Sequence, residues 1–260
     1  MYMDYHTHSF YSFDGEAPLA DMAATAAARG LKELCCTDHL DFDGPVPHVP
    51  DFAARQKELE GLDCRYPGLK LRRGVEVSLR DEACARAAQR AVEGVDLDFV
   101  LGSVHTIEGV DVWAEDYYVG QTKQQAYRRY FEAVARVLPT FPRLNVLAHY
   151  DFVAKYAPYP DRAVTLDVAP EAFDAIFRWL ILKGKGMEIN TASWQQDAPW
   201  GLDVLRRYRA LGGEYVTVGS DTHGTPRVGA RIQEALELAR SAGIPYVAAF
   251  HRGVPQLHRL

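Results

Sequence analysis

The segment EYVTVGSDTH, residues 214–223, is an apolar run rich in Val and Tyr that stops in Gly-Ser-Asp-Thr-His, and RVGARIQEALELARSAG (227–243) follows it with helical spacing. Valine and tyrosine suit a pleated strand, so the pair reads as one βα unit with its polar residues at the carboxyl end of the strand. The same unit recurs upstream. MYMDYHTH opens the chain as a short strand that ends where His6 and His8 begin. PLADMAATAAARG (18–30) is a helix with Pro18 near its start and Gly30 just past its end. Strands are expected at 31–39 (LKELCCTDH), 69–79 (LKLRRGVEVSL), 95–105 (VDLDFVLGSVH), 144–151 (LNVLAHYD) and 185–190 (KGMEIN), with helices over 50–62, 81–94, 121–139, 170–184 and 200–213. Strands alternating with helices imply a parallel sheet with crossover helices, an α/β fold. Seven units in 260 residues favour a closed barrel and one domain over residues 1–260. An eighth apolar run, 244–250, leaves the strand count open.

The net charge of −6 argues against a surface that coats nucleic acid, which needs a basic stripe. No apolar run approaches the ~20 residues of a membrane span, and MYMDYHTH has neither the basic region nor the apolar stretch of a signal peptide. A cytoplasmic protein is expected. Cys35, Cys36, Cys64 and Cys84 contain no CxxC pair and read as buried thiols.

The strand ends carry the chemistry. His6 and His8 end the first strand, His39 the second, His105 the fourth and His149 the fifth. Glu76 lies near the end of the third, Glu188 and Asn190 end the sixth, and Asp221 and His223 end the seventh. Carboxyl ends of parallel barrel strands open on one rim, where active sites are built. Six of the nine histidines therefore converge on one mouth, with Glu76, Asp221 and Asp14. Leaving such groups unpaired would cost several kcal/mol, whereas metal coordination satisfies them. Imidazole and carboxylate without thiolate suit Zn, Mn or Fe, and the number of ligands implies two to three divalent ions.

The order HxH, Asp, DH, Glu, SxH, H, SDxH resembles the polymerase and histidinol phosphatase (PHP) superfamily. YHTHSFYSFDG, CCTDHLDF, RRGVEVSL, FVLGSVHTI, AYRRYFEAV, LAHYDFVAKY, MEINTA and VTVGSDTHGTPRVG are similar to its histidinol-phosphatase branch, and the resemblance runs from Met3 to about residue 250. It implies a distorted (β/α)7 barrel and a metal-dependent hydrolase of histidine biosynthesis that converts L-histidinol phosphate to L-histidinol and phosphate. Carried over by position, it puts His6, His8, Glu76 and Asp221 around one ion. Glu76 bridges to a second ion completed by His105 and His149, and Asp14, His39 and His223 hold a third. Glu76, Asp221 and His223 are the expected catalytic residues. The branch usually carries a basic residue soon after its Asn-Thr pair, whereas this chain reads NTASWQQDAPW.

Clustered divalent ions neutralise phosphoryl oxygens, activate water and orient in-line attack. Lys155, Arg227 and Asn190 are the candidates for gripping the phosphate, and His251 is one candidate acid for the leaving alcohol. His48 and His258 read as incidental. The alternatives are a PHP phosphoesterase acting on another small phosphate ester or a nucleic-acid 3′ end, and a non-catalytic PHP domain, which would be expected to lose ligands. The expected partner is a small phosphorylated substrate, with no nucleic acid and no membrane; a homo-oligomer is left open.

Overall fold

The computed structural model describes residues 2–260. Its strands are β1 (Met3–Thr7), β2 (Glu33–Cys36), β3 (His39–Leu40), β4 (Lys70–Ser78), β5 (Phe99–Ser103), β6 (Thr106–Ile107), β7 (Val110–Asp111), β8 (Val146–Leu147), β9 (Gly186–Asn190), β10 (Tyr215–Gly219), β11 (Tyr246–His251) and β12 (Val254–Arg259). The helices are α1 (Leu19–Ala28), α2 (Phe52–Asp63), α3 (Glu82–Ala91), α4 (Lys123–Val137), α5 (Phe152–Lys155), α6 (Pro170–Leu182), α7 (Leu202–Ala210) and α8 (Ile232–Ser241). Seven strands pair in parallel in the order β1-β2-β4-β5-β8-β9-β10. This is a distorted α/β barrel, as the resemblance implies.

The helices form because their apolar spacing matches the barrel wall. In α4 a Thr122–Gln125 capping box satisfies the first turn, and Ala126, Tyr127, Tyr130, Phe131, Val134 and Val137 recur on one buried face. Pro170 opens α6, which buries Phe173, Ile176, Phe177 and Leu180. Phe131 and Phe173 meet between the two helices with ring centroids 4.2 Å apart.

Closure of the barrel is local. β1 meets the chain just beyond β10 through Asp221 N–H donating to the His6 carbonyl and His8 N–H donating to the Thr222 carbonyl, each at 2.8 Å. Lower on the same seam, the fully buried Asp4 carboxylate accepts from Ser220 N–H at 2.9 Å, Ser220 Oγ at 2.5 Å and Gly229 N–H at 2.7 Å.

Several boundaries depart from the sequence expectation. β1 runs through His6 instead of ending before it, because the seam needs extended backbone there. The second strand breaks after Cys36 and restarts as β3, with His39 directly opposite Glu76. The run 244–250 does not complete the barrel. It pairs with β10 over two residues and, along its whole length, with β12 in an antiparallel hairpin. His251 Nδ1 lies 3.1 Å from Asp98, the residue before β5, and Asn145 Nδ2 donates to the Gly253 carbonyl. The hairpin thus caps the amino-terminal end, where Phe250 packs on Phe99 and Tyr5. Cys35, Cys36 and Cys84 are buried, but Cys64, at the end of α2, faces solvent. Among the described residues no helix is long and apolar enough to cross a membrane.

Removing the Asp4 carboxylate strands buried donors of Ser220 and Gly229, and each unsatisfied donor costs about 1–3 kcal/mol. Asp4→Ala is therefore expected to lower the unfolding free energy in urea by about 3 kcal/mol. A loss under about 1 kcal/mol would show that the seam holds without it.

Candidate metal centre

All nine residues expected to bind metal meet at the carboxyl ends of the strands. Glu76 is at their centre. Its Oε2 lies 3.3 Å from His6 Nε2, 3.5 Å from His8 Nε2 and 3.1 Å from His39 Nδ1. Its Oε1 lies 2.8 Å from His149 Nε2 and 3.4 Å from His105 Nε2. Asp221 Oδ1 is 3.3 Å from His8 Nε2 and 3.6 Å from His6 Nε2. Asp14 reaches in from the loop after β1, its Oδ2 3.1 Å from His223 Nε2 and 3.6 Å from His39 Nε2.

Local backbone features hold this geometry. Asp221 has φ +48°, a left-handed conformation that costs a non-glycine residue energy and that clusters at functional sites. A Cβ on Gly219 would sit 2.3 Å from both Glu188 Oε1 and His6 Cβ, so only glycine lets these side chains approach. Behind the cage, Glu188 Oε1 is 2.8 Å from His6 Nδ1, and its Oε2 accepts from the His149 backbone N–H at 2.7 Å. The sequence pointed to Glu188 only as a polar strand end; it holds the His6 imidazole and the His149 backbone from the rear.

The donor set fits metal ions. His6 Nε2, His8 Nε2, His39 Nδ1 and His149 Nδ1 are buried without a hydrogen-bond partner, which native interiors rarely tolerate. Burial alone would raise the Glu76 carboxyl, but His6 and His39 hold it well below its usual range. Asp221 is likewise held low, against burial, by Lys155 and His6. Burial and the neighbouring His39 push His8 down to about 3, and burial also lowers His149. Both carboxylates are therefore anionic and these two imidazoles neutral, the forms that coordinate a metal, whereas neighbouring carboxylates raise His6, His39 and His105, which give up a proton when an ion binds. Triads with converging donor atoms include His6, His8 and Glu76; Glu76, His105 and His149; and His8, His39 and His223. A further one, His39, Asp41 and His105, was not anticipated; the signal was an acid two residues beyond His39.

The cage floors a cavity of about 560 Å³. Phe13, Trp113, Phe152 and Tyr156 supply aromatic wall, and Asp41, Asp43 and Asp111 line it as well. Among the described residues lining it, Lys155 is the one lysine or arginine, and its Nζ lies 2.8 Å from Asp221 Oδ2. The other two phosphate candidates fall outside. Asn190 is buried behind the cage, its Nδ2 donating to Glu188, and Arg227 does not line the cavity. His251 is at the opposite end of the barrel, too remote to protonate a leaving group here. His48, read as incidental, lines the cavity wall.

The PHP domain family profile matches residues 4–192. The chain belongs to the PHP domain family. It is 30% identical to the histidinol-phosphatase of Lactococcus lactis over 95% of this chain and 94% of that one. It is 25% identical to the probable histidinol-phosphatase of Clostridium acetobutylicum over 94% and 95% of the two chains. The crystal structure of the Lactococcus lactis histidinol phosphate phosphatase, complexed with zinc, L-histidinol and phosphate, superposes with a TM-score of 0.88, covering 98% of each chain. A crystal structure of the putative histidinol phosphatase of Listeria monocytogenes shares the fold at 18% identity, with a TM-score of 0.73 over 89% of this chain and 99% of that one.

Gly219→Ala is expected to push His6 and Glu188 out of register, and circular dichroism checks that the variant still folds. Elemental analysis is expected to show the loss of at least about one equivalent of metal. Full metal content in that variant would mean the close approach is dispensable.

Proposed function

We propose that this protein hydrolyses L-histidinol phosphate to L-histidinol and phosphate, a step of histidine biosynthesis, using two to three divalent ions held at the barrel mouth. The carrying observation is the complete cage of six imidazoles with Glu76, Asp221 and Asp14, on a fold shared over its whole length with an enzyme crystallised with zinc, L-histidinol and phosphate. Such ions, when bound, neutralise phosphoryl oxygens and make a water nucleophilic near neutral pH.

The chain's own groups divide the work. The two oxygens of Glu76 face different imidazoles, which suits a bridge between two ions: one shared with His6, His8 and Asp221, the other with His105 and His149. Asp14, His39 and His223 suit a third. Lys155 stands beside Asp221 at the cavity edge, where its ammonium can bind a phosphoryl oxygen. The leaving alcohol, L-histidinol, carries an amine and an imidazole. Asp43 and Asp111, both within hydrogen-bond reach of Thr106 Oγ1, offer a cation-accepting wall, and Trp113 and Phe13 offer apolar faces. The relative's zinc makes zinc the first metal to test. A non-catalytic domain has no observation in its favour, since every expected ligand converges.

L-Histidinol phosphate should be turned over with a kcat/KM at least about tenfold above p-nitrophenyl phosphate, which needs only ~1.4 kcal/mol of preferential transition-state binding. Asp111→Asn should raise KM for L-histidinol phosphate several-fold and leave p-nitrophenyl phosphate hydrolysis unchanged. Equal rates on both substrates would point to a different phosphate ester.

A second test separates the ions. Asp14→Asn is expected to lose about one metal equivalent and to recover activity with added zinc or manganese, because its carboxylate serves one ion. Glu76→Gln should lose more metal, respond poorly to added ions and cut kcat by several orders of magnitude. Identical metal loss and identical rescue would overturn the allocation of ligands to separate ions.

A further inference from the structure

Behind His8 lies a buried chain of polar groups that touches neither the cavity nor the expected substrate. Arg55, on α2, is 2% exposed although it carries a permanent charge. Its Nη1 donates to Asp38 Oδ2 at 2.8 Å and its Nη2 to the Gly74 carbonyl at 2.6 Å. Asp38, in the turn between β2 and β3, is fully buried, and its Oδ1 accepts from Ser9 N–H at 2.7 Å and Ser9 Oγ at 2.9 Å. The same oxygen is 3.3 Å from Ser12 Oγ. Ser12 Oγ in turn accepts from the backbone N–H of His39 at 3.0 Å and lies 3.1 Å from His8 Nδ1.

Each atom's role follows once the Ser12 hydroxyl donates to the Asp38 anion. A guanidinium at 2.8 Å keeps Asp38 an anion, so it only accepts hydrogen bonds. The single hydroxyl proton of Ser12 is drawn to that carboxylate, leaving the oxygen lone pairs for His39 N–H and for His8 Nδ1. His8 then donates from Nδ1, and its Nε2, buried and without a hydrogen-bond partner, carries the free lone pair. That nitrogen is the one facing Glu76 Oε2 and Asp221 Oδ1. Glu188 does the same for His6 in one step; His8 has no carboxylate of its own and is reached through a serine.

We propose that Arg55, Asp38 and Ser12 form a positioning relay that fixes His8 in its Nδ1–H tautomer and aims its Nε2 lone pair at a metal ion. The relay rests on His8 being a metal ligand, and it also pins the backbone of His39, so one buried charge pair bears on His8, just past β1, and on His39, which opens β3. Groups that orient ligating histidines in this way change metal affinity by roughly 10–100-fold when removed.

The test uses zinc alone, titrated into the purified, chelator-treated full chain against a chromophoric chelator. Ser12→Ala is expected to weaken one zinc equivalent by roughly 10–100-fold, with a lower thermal midpoint for the chelated protein, since the buried His39 N–H loses its acceptor, and kcat restored by excess zinc. Ser12→Thr, which keeps the hydroxyl, should retain wild-type zinc affinity. Arg55→Met should weaken the same equivalent without touching His8, at some cost in the chelated midpoint. Wild-type zinc affinity in Ser12→Ala would overturn the relay, as would equal losses in Ser12→Ala and Ser12→Thr. A wild-type protein that binds no zinc would instead overturn the metal reading on which the relay depends.

Discussion

Two backbone hydrogen bonds, from Asp221 N–H to the His6 carbonyl and from His8 N–H to the Thr222 carbonyl, tie the first strand to the chain leaving the seventh. This seam makes neighbours of residues more than 200 positions apart in sequence. The constraint fixes three things together. It extends β1 through His6, it puts both imidazoles of the HTH segment beside Asp221, and Asp221 meets it in a left-handed backbone conformation. A regular ladder between β1 and β10 would close the barrel as well, but it would leave no reason for the carboxylate to turn inward. The irregular closure and the metal cage are one feature of the backbone.

Collecting this many ionisable groups in a buried mouth is expensive, and the fold compensates from two sides. Within the cage, imidazoles surround Glu76 so closely that its carboxyl stays ionised despite nearly complete burial. Behind the cage, Glu188 orients His6 and the Arg55–Asp38 pair bears on His8 through Ser12. Buried ion pairs are poor sources of stability, because desolvation offsets most of their attraction. Their presence here is better explained by orientation. A rotatable imidazole becomes a directed ligand only when its second nitrogen is already committed.

Much of this was legible in the sequence. Alternating strands and helices gave the parallel sheet, and polar residues at strand ends named the cage before any coordinates, since a barrel puts those ends on one rim. Other features could not be read, for stated physical reasons. The hairpin of β11 and β12 begins as an apolar run like any barrel strand, and only tertiary packing against Phe99 and Tyr5 draws it across the floor. Asn190 has the local context of a site residue, yet in a strand a two-residue offset keeps it on the same face as Glu188, and it falls behind the cage with it. Arg227 precedes α8 on a loop whose path no periodicity encodes. Arg55 is the clearest miss: in sequence it is one charge on a polar helix, and only the fold shows that it is buried against Asp38.

The cavity's charge pattern bears on how a phosphate ester would orient in the proposed reaction. One ammonium, Lys155, stands near Asp221, whereas Asp43 and Asp111 stand near Thr106 on another part of the wall. At an effective dielectric of about 20, two unit charges 4 Å apart interact by about 4 kcal/mol before desolvation is counted. A dianionic phosphate is thus repelled from the Thr106 wall and accepted only at the metal end, while a cationic alcohol is favoured at that wall. The absence of a basic residue after Asn190 then becomes intelligible. With ions and Lys155 to hold the phosphate, a further arginine would raise affinity for every phosphate ester alike, free phosphate included. Discrimination must come from the alcohol, and the carboxylates of the cavity wall, Asp43 and Asp111, are the groups that can tell a cationic alcohol from a neutral one.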